Sequence, residues 1–228
     1  MGGLFSKAAS KRQLRILLLG LDSAGKTTLL HALTGQTRNV RAPPEPTVGF
    51  SVETVKVKKS RLDVWDLGMI FLFKCTTFKL DIIGGQERQR VLWRHYYAGT
   101  NALIFVVDST DAGRLGEAHE ELSRLLSERD LMNSTVLILA NKQDATHALP
   151  AEVVSKHLNL PDSTSPDGSV EVNNHLCKVM PIVGATGEGV SEAMAWLVAN
   201  TNTKRKGNKN STISKQATVK ASNTGGRK

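Results

Sequence analysis

The chain has 228 residues, is 40% hydrophobic and carries a formal charge of +9. This length suits one sizeable α/β domain with a tail rather than two domains, and no run of eighteen apolar residues is present to cross a bilayer as a helix. The charge lies at the ends: residues 201–228 hold eight Lys/Arg and no acid, and residues 1–15 hold four more, which leaves −3 on the body between them.

A nucleic-acid binder more often carries its basic face on the folded body, so no specific nucleic acid is expected. Basic ends fit attraction to an anionic membrane surface better. The tail reads equally well as a solvated, solubilising segment. No secretory pattern precedes the first strand-like run. Two cysteines, Cys75 and Cys177, make no disulfide framework and suit a reducing compartment.

In chain order, Met1-Gly2-Gly3-Leu4-Phe5-Ser6 fits M-G-x-x-x-[ST], so Gly2 is a candidate for myristoylation once Met1 is lost. Leu4, Phe5 and Ala8 form a short apolar set beside Lys7 and Lys11, the second signal that a single acyl chain needs. Residues 14–19 (LRILLL) read as a buried strand, followed by a turn and a helix from Lys26 to about Leu33, stopped by Gly35. Residues 50–57 alternate in period two like an edge strand or hairpin arm, with 61–66 as the partner. ALIFVVD (102–108) and TVLILAN (135–141) are further buried strands, with a helical stripe at Leu115, Ala118, Leu122, Leu125 and Leu126 between them. KVMPIV (178–183) makes a last short strand, and Val190, Met194, Leu197 and Val198 stripe a closing helix. Six strands alternating with helices predict a mostly parallel sheet covered on both faces, with ligands at the carboxyl ends of its strands. The domain is predicted over 14–200, after an N-terminal segment 1–13 and before a disordered basic tail, 201–228.

Two loops carry the chemistry. Gly20-Leu21-Asp22-Ser23-Ala24-Gly25-Lys26-Thr27 matches G-x-x-x-x-G-K-[ST] between a strand and a helix. Its glycines let backbone N–H groups curl around phosphates, and the helix N-terminus adds a favourable dipole. Lys26 would neutralise the β- and γ-phosphates, and the Thr27 hydroxyl would ligate Mg²⁺. Asn141-Lys142-Gln143-Asp144 leaves a strand end about 115 residues later. A carboxylate at Asp144 can accept from both N1–H and the N2 amine of guanine, a pattern adenine lacks. Asn141 would brace loop and base, and the Lys142 stem would lie over the ring. Gly184-Ala185-Thr186, after the last strand, offers a backbone N–H for guanine O6.

GLDSAGKTT (20–28), PTVGFSVETV (46–55), VWDLG (64–68), GGQERQRVLWRHYY (84–97), FVVDSTD (105–111) and LILANKQDA (137–145) together resemble the ADP-ribosylation factor (Arf) and Arf-like branch of small GTPases over about residues 2–200. The resemblance implies a P-loop NTPase fold, GTP or GDP with Mg²⁺ as ligands, and a GTP-binding switch working in vesicle trafficking. It implies nucleotide contacts from Gly20, Asp22, Ser23, Ala24, Gly25, Lys26, Thr27, Thr28, Thr47, Gly85, Asn141, Lys142, Asp144, Ala185 and Thr186. It assigns Thr47 to the metal and γ-phosphate in the triphosphate state, Asp66 to the magnesium water shell, and Gln86 to orienting the attacking water. Phe50, Trp65 and Tyr96 become the apolar triad that effectors read; pattern alone would put them in ordinary packing. No internal arginine finger is evident beyond Arg38 and Arg41, so hydrolysis is expected to be slow and to depend on an activating protein. Exchange factors, effectors, a monomeric state and a cytoplasmic location peripheral to intracellular membranes (Golgi or endomembrane) complete the expectation.

One departure stands out. Gly68 is followed by MIFLFKCTTFKLDIIG (69–84) before Gly85-Gln86-Glu87, and deleting those sixteen residues restores WDLGGQERQR. The segment separates Asp66 from Gly85, which must converge on one phosphate and one metal. Codons for Gly68-Met69 can hold a GTATG donor and those for Ile83-Gly84 a TAG acceptor, with the frame kept, so the segment reads as a retained intron. The alternative is a genuine insertion, giving a chain that binds guanine nucleotide but switches or hydrolyses poorly. An ATP-using P-loop kinase is disfavoured by Asp144.

Overall fold

A computed structural model of the chain describes residues 13–35, 50–57, 60–67 and 91–201. The expectations for Gly2, Thr47, residues 69–84, Gly85, Gln86 and the tail beyond Thr201 lie outside these residues. Strands β1 (Gln13–Gly20), β2 (Phe50–Val57), β3 (Ser60–Leu67), β4 (Ala102–Asp108), β5 (Thr135–Asn141), β6 (Val170–Val172) and β7 (His175–Pro181) form one sheet in the order β2-β3-β1-β4-β5-β7-β6. The helices are α1 (Lys26–Thr34), α2 (Leu115–Ser127), α3 (Ala151–His157) and α4 (Val190–Thr201). Strands β3, β1, β4, β5 and β7 run parallel, and antiparallel β2 and β6 close the two edges.

The strand period divides the core in two. Leu17, Leu19, Leu103, Phe105, Val107, Val136, Ile138 and Ala140 face one way, onto Leu115, Leu122 and Leu125 of α2 and Val154 of α3. Their neighbours Ile16, Leu18, Ile104, Val106, Leu137 and Leu139 face the other, onto Leu29 and Leu30 of α1 and Val190, Met194 and Leu197 of α4. Each fully buried Leu, Ile or Phe contributes about 1.5–3 kcal/mol of transfer free energy, so a one-residue slip of a central strand would exchange both layers at once.

Among the described residues the sheet has seven strands, not six. The missed one, β6, is three residues long and joins β7 through Asn173 (φ 49°) and Asn174 (φ 64°). Two consecutive left-handed residues make a tight hairpin whose twist matches that of its strands, and β7 accordingly starts at His175 rather than at 178. Helix α3 was also missed, because seven residues with two buried positions make too short a stripe to read. The first strand begins at Gln13 and the last helix ends at Thr201.

Candidate nucleotide-binding site

The loop between β1 and α1 is held open by backbone that only glycine tolerates. At Gly20 (φ 143°) a Cβ would lie 2.2 Å from the Val106 carbonyl oxygen, and at Gly25 (φ 95°) one would lie 2.4 Å from Asn141 Nδ2. Ser23 also adopts positive φ, 60°. Lys26, opening α1, donates to the carbonyls of Gly20 (3.1 Å) and Leu21 (2.9 Å), so its ammonium lies across the mouth of the loop. Thr28 follows Thr27 in the first turn of α1, half-buried.

Thr27 and Asp66 meet beneath that lysine. The Thr27 hydroxyl donates to Asp66 Oδ2 at 3.2 Å. Asp66 is 1% exposed, and its Oδ1 is buried with no hydrogen-bond partner among the described residues. Burial pushes the Asp66 carboxyl above its ordinary range, against Lys26, Thr27 and His31, which pull it down. An orphaned carboxylate oxygen beside a hydroxyl is a hard-oxygen donor pair, and that fits Mg²⁺, which takes one or two protein oxygens and keeps several waters.

The Asn141-Lys142-Gln143-Asp144 loop lies at the same rim. Parallel register pairs Asp108 with Asn141 at the carboxyl ends of β4 and β5. Asn141 is 3% exposed. Its Nδ2 donates to the Ala24 carbonyl at 2.8 Å, and its Oδ1 accepts from the Gly184 N–H at 2.8 Å. One side chain thus ties the phosphate loop to the loop that carries Ala185 and Thr186, both exposed. Lys142 (φ 66°) donates to Asp108 Oδ2 at 2.5 Å. Burial alone would raise the Asp108 pKa, but hydrogen bonds from Lys142 and Thr110 outweigh it and lower it. Gln143 Nε2 donates to Ser109 Oγ and to the Leu149 carbonyl, each at 2.9 Å, while its backbone N–H donates to the Ile182 carbonyl. Asp144 is left exposed at the tip.

Asp108, Ser109 and Gln143 were not singled out from sequence. The signal available was positional, since FVVDS and LILAN end level with each other only once the strands are registered. Trp65 and Tyr96 are half-buried against the core, with ring centroids 6.0 Å apart. The Arg15 guanidinium lies 4.0 Å from the Trp65 ring centre and donates to the Tyr96 carbonyl. Phe50 opens β2, paired with Leu67.

The fold and these loops define a P-loop nucleotide-binding protein of the small-GTPase type. The family model of the ADP-ribosylation factor family matches in two pieces, residues 1–70 and 71–201. The chain is 41% identical over 203 residues to ADP-ribosylation factor-like protein 1 of Saccharomyces cerevisiae, covering 87% of this chain and 96% of that protein. Its fold is similar to that of the Arl6 BBS3 small GTPase of Trypanosoma brucei, solved with the nucleotide analogue GppNp, with a TM-score of 0.62 at 29% identity over 83% of this chain and 97% of that one. The chain belongs to the ADP-ribosylation factor family of small GTPases.

Proposed function

We propose that this chain is a guanine-nucleotide switch that alternates between GDP and GTP forms with Mg²⁺ and recruits effectors at a membrane surface. The observation that carries it is the Asn141 bridge, whose two 2.8 Å hydrogen bonds hold the phosphate loop and the guanine loop at one rim of the sheet. In this reading the N–H groups of residues 22–27 receive the phosphates, Lys26 exchanges its two carbonyl partners for phosphate oxygens, and Asp144 accepts from the guanine edge. Magnesium, when bound, would neutralise charge between the β- and γ-phosphates; Thr27 and Asp66 are the described residues that would hold it. Thr47 and Gly85 would register the γ-phosphate, and Gln86 would orient water. Without an arginine finger the rate falls by roughly 10³–10⁵, so hydrolysis is slow until an activating protein supplies one. Competition binding tests the core of this reading: GTP and GDP should displace a fluorescent guanine nucleotide while ATP does not, and Asp144→Asn should move preference towards xanthine. Equal binding of ATP would end it.

Membrane recruitment rests on Gly2, the apolar set Leu4, Phe5 and Ala8, and the basic residues beside them. The proposed location is the cytoplasmic face of intracellular membranes, with vesicle trafficking as the process. Flotation with anionic liposomes checks this, with loss in Gly2→Ala as the expected result.

A second reading is favoured by residues 69–84, within which the family match breaks between residues 70 and 71. If the segment is translated, the chain is a guanine-nucleotide-binding protein with impaired hydrolysis. If it is a retained intron, the chain lacking it is the competent switch. Transcript sequencing, together with single-turnover hydrolysis of both chains in the presence of an activating protein, separates the two.

A further inference from the structure

The phosphate loop contains a residue that works against its purpose. Asp22 is the one charged residue between Gly20 and Lys26, and a carboxylate inside a ring of N–H donors repels the anion those donors collect. The structure turns it aside. Arg114, at the start of the connection into α2, donates from Nη1 to Asp22 Oδ1 at 3.1 Å and from Nε to Asp111 Oδ2 at 2.5 Å. The backbone N–H of Arg114 also donates to the Asp111 carbonyl, closing a turn that fixes where the guanidinium points. Asp111 therefore aims the fork, and the free limb reaches back 92 residues in sequence to the phosphate loop. Arg114 lines a small crevice together with Leu21, Asp22, Val107, Asp111 and Leu115, and with Asp108, which is paired with Lys142. Asp22 thus shares the Arg114 guanidinium with Asp111, while Asp108 is matched by Lys142.

We propose that Arg114 is a positioning residue for the phosphate loop: it draws the Asp22 carboxylate away from the polyphosphate and offsets its charge, so that the loop meets the nucleotide as a net anion receptor. This rests on the guanine-nucleotide reading and adds to it a residue 88 positions beyond the lysine of the motif. The competing account is a plain strut, in which Arg114 only ties α2 to the loop. The two differ in what happens when the carboxylate is removed as well.

The test uses the full chain and fluorescent GTP and GDP analogues with Mg²⁺. Arg114→Ala is expected to weaken GTP binding by about tenfold, and GDP binding by less because it brings one less charge. The loss should shrink in ~1 M salt, where the screening length is about 3 Å. Combining Arg114→Ala with Asp22→Asn should recover most of the lost affinity, a rescue that a strut does not allow. Should Arg114→Ala fail to fold, Arg114→Gln carries the same comparison. Unchanged affinity in the single variant, or a double variant as weak as the single, overturns the proposal while leaving guanine-nucleotide binding intact. A parent chain that does not prefer GTP over ATP removes the reading beneath it as well.

Discussion

The two halves of the site are built on opposite plans. On the guanine side the first three side chains of the strand-end loop have partners within the protein: Asn141 joins Ala24 to Gly184, Gln143 joins Ser109 to Leu149, and Lys142 is paired with Asp108. On the phosphate side Lys26 leans on two carbonyls, and Asp66 keeps a buried oxygen with no described partner. A neutral base can be read by a surface held rigid in advance, because its recognition needs direction more than charge. A polyphosphate and its metal bring the charge that the other half lacks, so that half is left electrostatically incomplete.

Breaking the charged half should have the largest effect. Lys26→Ala is expected to lower GTP affinity by about 10³, roughly 4 kcal/mol, with little change in the unfolding of the nucleotide-free protein; equilibrium binding and thermal melts measure the two. Breaking the wired half should show the reverse balance. Asn141→Ala strands the Ala24 carbonyl and the Gly184 N–H in the interior, at about 1–3 kcal/mol for each group. The melt of the free protein should therefore fall along with guanine-nucleotide affinity. Gly25→Ala attacks the same contact from the other side, through its clash with Asn141 and its positive φ, and should cost at least about 1–3 kcal/mol.

Asp66→Asn sharpens the comparison because its two effects have opposite sign. Removing a carboxylate that burial disfavours should stabilise the metal-free protein at neutral pH by about 1–3 kcal/mol, while the dependence of nucleotide affinity on Mg²⁺ should disappear. Stability unchanged, or a retained magnesium response, would show that the orphaned oxygen is not a metal-directed feature.

The smallest expected effect lies away from both halves. Hydrogen bonds from Ser169 and Trp196 draw the Asp167 carboxyl down from 3.8 to about 2. A depressed acid stabilises the fold above its unfolded value and loses that contribution as pH falls through the folded one. Trp196, whose Nε1 donates to Asp167 at 2.9 Å, should report this as a fluorescence step near pH 2 that is absent in Asp167→Asn.

The readings drawn from sequence alone are those that depend on local spacing. The alternation of apolar strand runs with helical stripes predicted the doubly covered sheet, since the helices joining parallel strands must lie on its faces. The glycine pattern and Lys26 marked the phosphate loop, because only such a backbone exposes consecutive N–H groups, and the Asn-Lys-x-Asp run marked the guanine loop. Tertiary structure decided what depends on register and on contacts distant in sequence. Asn141 meets Ala24 across 117 residues, Arg114 meets Asp22 across 92, and Lys142 meets Asp108 across 34. The short β6 and α3 were decided there too, since neither buries enough apolar surface to leave a pattern. A one-dimensional pattern records which face a residue turns to the core; which strand lies beside it follows only from the packing of the whole sheet.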